Sequence, residues 1–312
     1  MSMLLNGNVI ETSNSNGARG GTELMRDRLI AHVDEFLLRD VAIHFSRVRN
    51  FNKNIKNIYY AHDMENDPEC VVLKDHHKFN AIVFVSYWQR DRFIDKFGIP
   101  YDKCHVIENA VELESIKRNK KFDTINLVYH TTPHRGLALL QPIWKELRDE
   151  FGSKITLDIF SSFNVYGRQD DESVKKNIAQ LSSMDGVKSH GFVSNPNLVK
   201  HLVEKSNIFV YPCIWHETSC IAMIEAMKAG CFVVHPNFGA LTETGMNLPQ
   251  SKTYHMSQYI DIIVKKCINA TADVIQSIIN DSSYLDLATT KTPDKYDIAN
   301  FKKSWEELLI KI

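Results

Sequence analysis

The sequence predicts an α/β protein built from two doubly wound domains with parallel sheets, of which the first is shortened. Strand and helix patterns alternate along most of the chain, as is typical of parallel sheets covered by helices. One series of short apolar strands ends near residue 107 and a second begins at 125, and the polar, basic residues 112–123 between them predict a linker. The 312 residues are enough for two domains of ordinary size.

The N-terminal series has few strand patterns. Residues 6–20 are rich in Asn, Gly and Ser and predict a loop, which leads into a helix that ends near residue 33. One strand is indicated within 36–45, and clearer strands follow at 57–61, 81–85 and 105–107. We therefore expect a first domain over 1–118 that is shorter than an ordinary Rossmann domain.

The C-terminal series is regular, and it predicts a second Rossmann-like domain over 119–290. Its strands are predicted at 125–129, 155–160, 187–192, 208–211 and 231–235, and its helices at 137–150, 171–181, 198–205 and 220–229. Residues 296–312 predict a final helix, within a last segment 291–312.

Composition narrows the class of protein. With 44% hydrophobic and 24% charged residues and a net charge of -1, the chain is typical of a soluble globular protein and lacks the basic excess of a general nucleic-acid binder. Its six cysteines form no C-x-x-C pair, which favours a reducing compartment. No signal peptide is evident, and no apolar run approaches the roughly 20 residues of a membrane span. We therefore expect a cytoplasmic protein.

One local basic run leaves two interpretations open. Lys117, Arg118, Lys120 and Lys121 lie in the predicted linker. They are either a solvated linker or a patch that contacts an anionic membrane surface as a peripheral protein would.

The segment from Tyr211 to Gly230 carries the most chemical information. Glu217 follows a strand, and Glu225 lies seven intervening residues later in the next helix. In open α/β sheets ligands bind beyond the carboxyl ends of the strands. The N–H groups of Cys220 and Ile221 open the helix and suit a diphosphate, and the carboxylates can accept hydrogen bonds from sugar hydroxyls. A helix with a buried Glu–Lys pair is the structural alternative.

This segment resembles the E-x7-E signature of glycosyltransferase family 4, a family of retaining enzymes with the GT-B fold. A strand that ends in Pro precedes the first glutamate, and EAMKAG begins at the second. The resemblance implies two Rossmann-like domains that face each other across a cleft. It also implies that Glu217 binds the donor sugar, that Glu225 binds the ribose, that the last helix packs back on the first domain, and that neither a metal ion nor another cofactor is needed.

Segments of the N-terminal half follow the order of that family. Gly20 and Gly21 resemble the glycine loop that approaches the donor, and His62 resembles the histidine that the first domain offers to the cleft. Ser86 and 109–112 also match, although an alanine and a glutamate stand in 109–112 where the family has glycine and aspartate. The alternatives are a plain turn for the glycines and a structural role for the histidine.

The C-terminal half adds three matched positions. Arg135 matches the second of two cations that neutralise the departing diphosphate, whereas His130 stands where the family has the first, an arginine. Val193 resembles the residue of a G-x-V loop that lies against the nucleobase. A surface salt bridge is the alternative for the arginine, and an ordinary turn is the alternative for the valine loop.

Absent patterns exclude other enzymes. The chain has no Asp-x-Asp triplet for a metal-diphosphate clamp, no G-x-G-x-x-G, no P-loop and no G-x-S-x-G. The prediction is thus a retaining, metal-independent glycosyltransferase with His62, Arg135 and Glu217 as catalytic residues. We expect a UDP- or GDP-sugar donor and a glycan, lipid-linked glycan or protein acceptor. The alternatives are a degenerate sugar-nucleotide-binding protein without transferase activity, or a GT-B-fold epimerase or phosphorylase.

Overall fold

The computed structural model describes residues 3–5, 8–11, 20–113, 124–289 and 293–312. The chain divides into two compact units, and each contains a six-stranded sheet. Unit 1 comprises residues 1–112 and 293–312, and unit 2 comprises residues 113–292. The basic run 117–121 lies outside the described residues.

The elements alternate along the chain as the sequence predicts. The strands are β1 Met3–Leu5, β2 Asn8–Glu11, β3 Val41–Phe45, β4 Lys56–Ala61, β5 Ala81–Phe84, β6 Cys104–Val106, β7 Ile125–Tyr129, β8 Ile155–Ile159, β9 Val187–Ser189, β10 Ile208–Val210, β11 Phe232–Pro236 and β12 Ser251–Tyr254. The α-helices are α1 Gly21–His32, α2 Glu35–Leu38, α3 Tyr87–Phe97, α4 Leu140–Phe151, α5 Glu172–Ser182, α6 Asn195–Glu204, α7 Ile221–Lys228, α8 Leu241–Gly245, α9 Ile260–Asn280, α10 Leu285–Ala288 and α11 Ile298–Lys311. Short 3-10 turns include Pro68–Lys78, Pro133–Arg135 and Phe163–Tyr166.

The sheet of unit 1 runs in the order β1-β2-β3-β4-β5-β6 and is parallel except for the β1–β2 pair. The loop predicted over 6–20 is therefore wrong at 8–11, which form β2 and pair with β3 through Ile10 and Ile43. This strand has four residues, of which only two are apolar, too few for a clear alternation, although it also pairs with the neighbouring β1. Residues 12–19 lie outside the described part of the chain.

Unit 1 has an aromatic core that includes the last helix. Tyr59, Phe84 and Phe93 are fully buried in one cluster. On α11, Trp305 is fully buried and packs edge to face against Tyr60, with ring centroids 5.0 Å apart. These contacts make α11 an integral part of the unit that contains the N-terminal sheet.

The sheet of unit 2 is entirely parallel, with the order β12-β11-β10-β7-β8-β9. The predicted strands and helices of this half are confirmed within a few residues. The predicted strand 187–192 stops at Ser189, and Gly191 then turns the chain with φ of 63°. Both faces carry helices, so β7 and β11 are buried along their whole length, as a doubly wound sheet requires. No helix among the described residues is long and apolar enough to cross a membrane.

Trp305→Ala is expected to destabilise unit 1 by about 3–5 kcal/mol, because it removes a fully buried ring and leaves a cavity. Ile310→Ala is the matched control, since Ile310 lies on the same helix and is 72% exposed. Hydrogen exchange measured by mass spectrometry should show faster exchange in β3 and β4 of the tryptophan variant alone. Unchanged protection of these strands would contradict the assignment of α11 to this core.

Candidate functional site

Loops at the carboxyl ends of neighbouring strands of unit 2 hold most of the predicted site residues. β7, β10 and β11 are adjacent and parallel, so the loops that follow them leave the same edge of the sheet. Arg135 follows β7, Glu217 follows β10, and Gly239 follows β11. Hydrogen bonds and backbone contacts join these three loops into one site.

Arg135 and Glu217 form the centre of this site. A guanidinium Nη1 of Arg135 donates to Oε1 of Glu217, and the Tyr211 hydroxyl donates to the same oxygen. Glu217 is only 3% exposed. Burial acts to lower the pKa of Arg135, but the charge of Glu217 and smaller contributions from Tyr211 and Tyr166 together outweigh it and raise the pKa above its ordinary value. Burial, reinforced by the charge of Glu217, raises the pKa of Tyr211, which keeps its hydroxyl protonated.

Two glycines allow the loops to approach this closely. Gly136 has φ of 130°, and a Cβ there would overlap the carbonyl oxygen of Pro212. Gly239 has φ of 60°, and a Cβ there would lie 2.6 Å from the Glu217 carbonyl oxygen. In addition, the Ala240 N–H donates to that carbonyl at 2.8 Å. Only glycine fits either position, since both combine a positive φ with backbone contact.

Glu225 lies in α7, as predicted, and is 3% exposed. Its Oε1 accepts a hydrogen bond of 2.8 Å from the side-chain amide of Asn195, the first residue of α6. Cys220 is the N-cap of α7 and Ile221 its first residue, as predicted, so the N–H groups of the first turn have no partners within the helix. No sequence pattern indicated a role for Asn195, because its hydrogen bond to Glu225 joins residues 30 positions apart.

The segment after β7 contains buried polar groups without partners. His130, Thr131 and Thr132 are all buried. Within the described residues, neither ring nitrogen of His130 and neither threonine hydroxyl has a hydrogen-bond partner. Desolvation, with a smaller contribution from His201, lowers the pKa of His130 to about 3. The imidazole is therefore neutral at physiological pH and can offer one donor, but no charge.

Asp158 on β8 connects the residues on either side of the predicted base-binding loop. It lies 2.5 Å from His190 Nε2 and 3.2 Å from His201 Nε2, and it accepts a hydrogen bond of 2.6 Å from Asn126. Burial acts to raise the pKa of this carboxyl, but hydrogen bonds from both histidines and the asparagine outweigh it and lower the pKa to about 2. Val193, half-buried, lies in the loop between the two histidines.

Three predicted site residues belong to unit 1. Gly20 is the N-cap of α1, and Gly21 is its first residue. His62 follows β4, its N–H donates to the Ser46 hydroxyl at 2.8 Å, and its ring stacks on Phe45 at 5.7 Å. Desolvation lowers the pKa of His62 well below its ordinary value, so the ring is neutral. The role of these three residues at a donor stays a prediction.

Gly136→Ala is expected to destabilise unit 2 by at least about 3 kcal/mol, because the new methyl group forces Pro212 away and strains the backbone. Gly191→Ala is the control, since Gly191 also has a positive φ but open space around its Cβ position. The unfolding free energy of that variant should fall by only about 1 kcal/mol. Urea unfolding of both variants measures the difference, and equal losses would show that the contact with Pro212 is unimportant.

Asp158→Asn is expected to destabilise the protein in a pH-dependent way. The folded-state pKa of about 2 lies below the ordinary value of 3.8, so the carboxylate stabilises the fold above pH 3.8 and this contribution disappears as the pH falls through about 2. At pH 5 the contribution is about 2 kcal/mol.

The measurement is urea unfolding of parent and variant at a series of pH values. The difference in unfolding free energy should shrink between pH 3.8 and about 2. Asp149→Asn, at an exposed position of α4, should follow the parent throughout. A difference in unfolding free energy that stays constant down to about pH 2 would contradict the lowered pKa of Asp158.

Comparison with known proteins bears on this site. Residues 111–250 match the family described as glycosyl transferases group 1. The matched range includes Arg135, Glu217 and Glu225. No curated protein sequence matches the chain significantly.

Solved structures share the fold of this chain at low sequence identity. A glycosyltransferase from Rickettsia africae has a TM-score of 0.67 and 15% identity, over 96% of this chain and 83% of that chain. HepE from Anabaena, solved with UDP and glucose, has a TM-score of 0.64 and 14% identity, over 95% of this chain and 85% of that chain. TarM from S. aureus, solved as a mutant with fondaparinux, α-GlcNAc-glycerol and UDP, has a TM-score of 0.60 and 17% identity, over 82% of this chain and 51% of that chain. The chain thus has the GT-B architecture of two Rossmann-like domains, and its residues 111–250 are similar to the group 1 glycosyl transferases.

Proposed function

We propose that this protein transfers a sugar from a UDP- or GDP-sugar to a glycan, lipid-linked glycan or protein acceptor. The observation that carries the proposal is the Arg135–Glu217–Tyr211 cluster, in which backbone contacts join the loops that follow β7, β10 and β11. The group 1 match over residues 111–250 supports it, as does HepE, a structure of the same fold that was solved with UDP and glucose.

Arg135 is suited to a diphosphate even though it is already paired. Its guanidinium has five N–H donors, and the contact with Glu217 uses Nη1. Its Nε is buried and has no hydrogen-bond partner among the described residues. The remaining donors can therefore reach phosphate oxygens while the ion pair keeps the side chain in place.

The charge that develops on the leaving diphosphate rests on Arg135 and on the N-terminal turn of α7. The N–H groups of Cys220 and Ile221 and the helix dipole favour an anion there. His130 is neutral and adds a hydrogen-bond donor, which replaces the charge of the arginine found in family 4. Fixed donors of this kind stabilise a transition state without reorganisation.

The carboxylates bind the rest of the donor. Glu225 accepts from the ribose hydroxyls and Glu217 from the sugar hydroxyls, while the loop with Val193 lies against the base. Glu217 already accepts hydrogen bonds from Arg135 and Tyr211, which lowers its reactivity as a nucleophile. Its role is therefore to accept hydrogen bonds from sugar hydroxyls. As the resemblance to family 4 implies, transfer proceeds with retention, and the acceptor attacks from the face of the leaving phosphate. The resemblance to family 4 also assigns Gly20, Gly21 and His62 to donor binding, and no metal ion takes part in the proposed reaction.

A second candidate is a sugar-nucleotide-binding protein without transferase activity. The observation that favours it is the neutral His130 in place of a cation, because weaker stabilisation of the leaving group slows transfer more than binding. Analysis of products separates the candidates: a transferase consumes the donor and glycosylates an acceptor, an epimerase changes the sugar, and a binding protein leaves the donor intact.

Thermal shift with a panel of nucleoside diphosphates and nucleotide sugars tests the proposal. UDP or GDP, with or without EDTA, should raise the melting temperature, since a ligand that binds only the folded state stabilises it. Glu225→Gln should weaken the binding at least about tenfold, because it removes a charged hydrogen-bond acceptor.

Glu172→Gln is the matched control, at a surface glutamate of unit 2 whose side chain is 90% exposed. Its binding curves should coincide with those of the parent. If none of the nucleotides raises the melting temperature, the proposed function is wrong. If EDTA abolishes turnover, the metal-independent mechanism is wrong.

A further inference from the structure

Beside the Arg135–Glu217 pair lies a row of three aromatic rings that the proposed function leaves without a role. His134 stacks on Phe163, with centroids 5.6 Å apart and an interplanar angle of 11°. Trp215 meets His134 edge to face, with centroids 4.8 Å apart and an angle of 86°. We refer to His134, Phe163 and Trp215 as the aromatic row.

Each ring of the aromatic row comes from a different loop at the carboxyl edge of the sheet. His134 follows β7, Phe163 follows β8, and Trp215 follows β10. The contact of Gly136 with Pro212 holds the first and third loops together. The Asp170 carboxylate accepts a hydrogen bond from the Phe163 N–H, which fixes the second loop. The rings are therefore held in place by backbone.

Trp215 is the most exposed tryptophan of the chain. Its surface is 48% exposed, whereas Trp144 and Trp305 are buried and Trp88 is half-buried. An indole ring left in water forgoes the free energy that its burial would supply. Its neighbours along the loop, Tyr211 and Glu217, are buried. The exposed ring is therefore a rigid apolar surface next to a buried carboxylate and a guanidinium.

The aromatic row carries no charge. Desolvation, followed by the charge of Arg135, lowers the pKa of His134 to about 4, although Glu217 acts in the opposite direction. The imidazole is thus neutral near pH 7. A ligand that matches this surface is uncharged, has an apolar face and has hydroxyls that reach Glu217. A pyranose ring meets all three conditions, because its C–H groups form an apolar face and its hydroxyls project from the edge.

We propose that Trp215, supported by His134, binds the apolar face of the sugar that the donor carries and selects it. This proposal rests on the proposed function. The donor sugar is favoured over an acceptor because it is bonded directly to the diphosphate, and His134 adjoins Arg135 in the chain. Trp215 likewise lies two residues from Glu217, the proposed acceptor of the sugar hydroxyls.

The test compares two ligands on the same protein, the nucleoside diphosphate and the matching nucleotide sugar, by isothermal titration calorimetry. Trp215→Ala should leave the Kd of the nucleoside diphosphate unchanged and raise that of the nucleotide sugar about three- to tenfold, as loss of an aromatic contact predicts. Trp215→Phe should recover part of the loss. Tyr259→Ala is the matched control, because Tyr259 is an exposed ring of unit 2 outside the aromatic row.

Tryptophan fluorescence gives an independent readout. Because Trp215 is the most exposed tryptophan, the nucleotide sugar should protect the emission of the parent from quenching by iodide more than the nucleoside diphosphate does. Trp215→Phe should abolish this difference. The inference fails, and the proposed function stands, if both ligands bind the parent and Trp215→Ala weakens them equally or not at all. If no nucleotide binds the parent, the proposed function fails and the inference with it.

Discussion

The ion pair between Arg135 and Glu217 is the interaction on which the site depends. It joins side chains 82 residues apart in the chain. A buried carboxylate is costly unless it is paired and hydrogen-bonded, and Glu217 receives both a guanidinium and the Tyr211 hydroxyl. Removing the charge of Arg135 would leave the Glu217 carboxylate buried and unpaired, at a cost of about 3–5 kcal/mol. The same pairing that stabilises the loops therefore fixes the orientation of both groups towards a ligand.

The two histidines near this pair are held neutral, so among His130, His134 and Arg135 only the guanidinium carries a positive charge. Burial lowers the pKa of His130 to about 3, and burial together with Arg135 lowers that of His134 to about 4. Each histidine is thus an uncharged hydrogen-bonding or stacking group across the physiological range. The guanidinium and the neutral rings therefore suit different parts of a ligand. A phosphate binds the cation, and the apolar face of a sugar packs on an aromatic ring.

The strands and helices of unit 2, and the polar residues that follow its strands, could be predicted from the sequence because both depend on local patterns. The spacing between Glu217 and Glu225 predicts one carboxylate in a loop and one in the following helix, and the structure confirms both positions. What it did not reveal depends on contacts between distant residues. Asp158 meets two histidines more than 30 positions away, and the need for glycine at 136 becomes evident only when Pro212 is beside it. Strand β2 escaped prediction because it is only four residues long and has two apolar residues.

The register of two central strands sets the geometry of the whole site. Ile208 pairs with Leu127 and Phe209 with Val128, so the loop of Arg135 begins level with the loop of Glu217. In a sheet the side chains alternate between faces, and a shift of one residue would turn every side chain of β10 to the opposite face. Arg135 would then no longer meet Glu217 in the same way, and Pro212 would no longer meet Gly136. The close backbone contact at Gly136 fits one register alone, so the glycine that allows the ion pair also fixes the pairing of the strands that bear it.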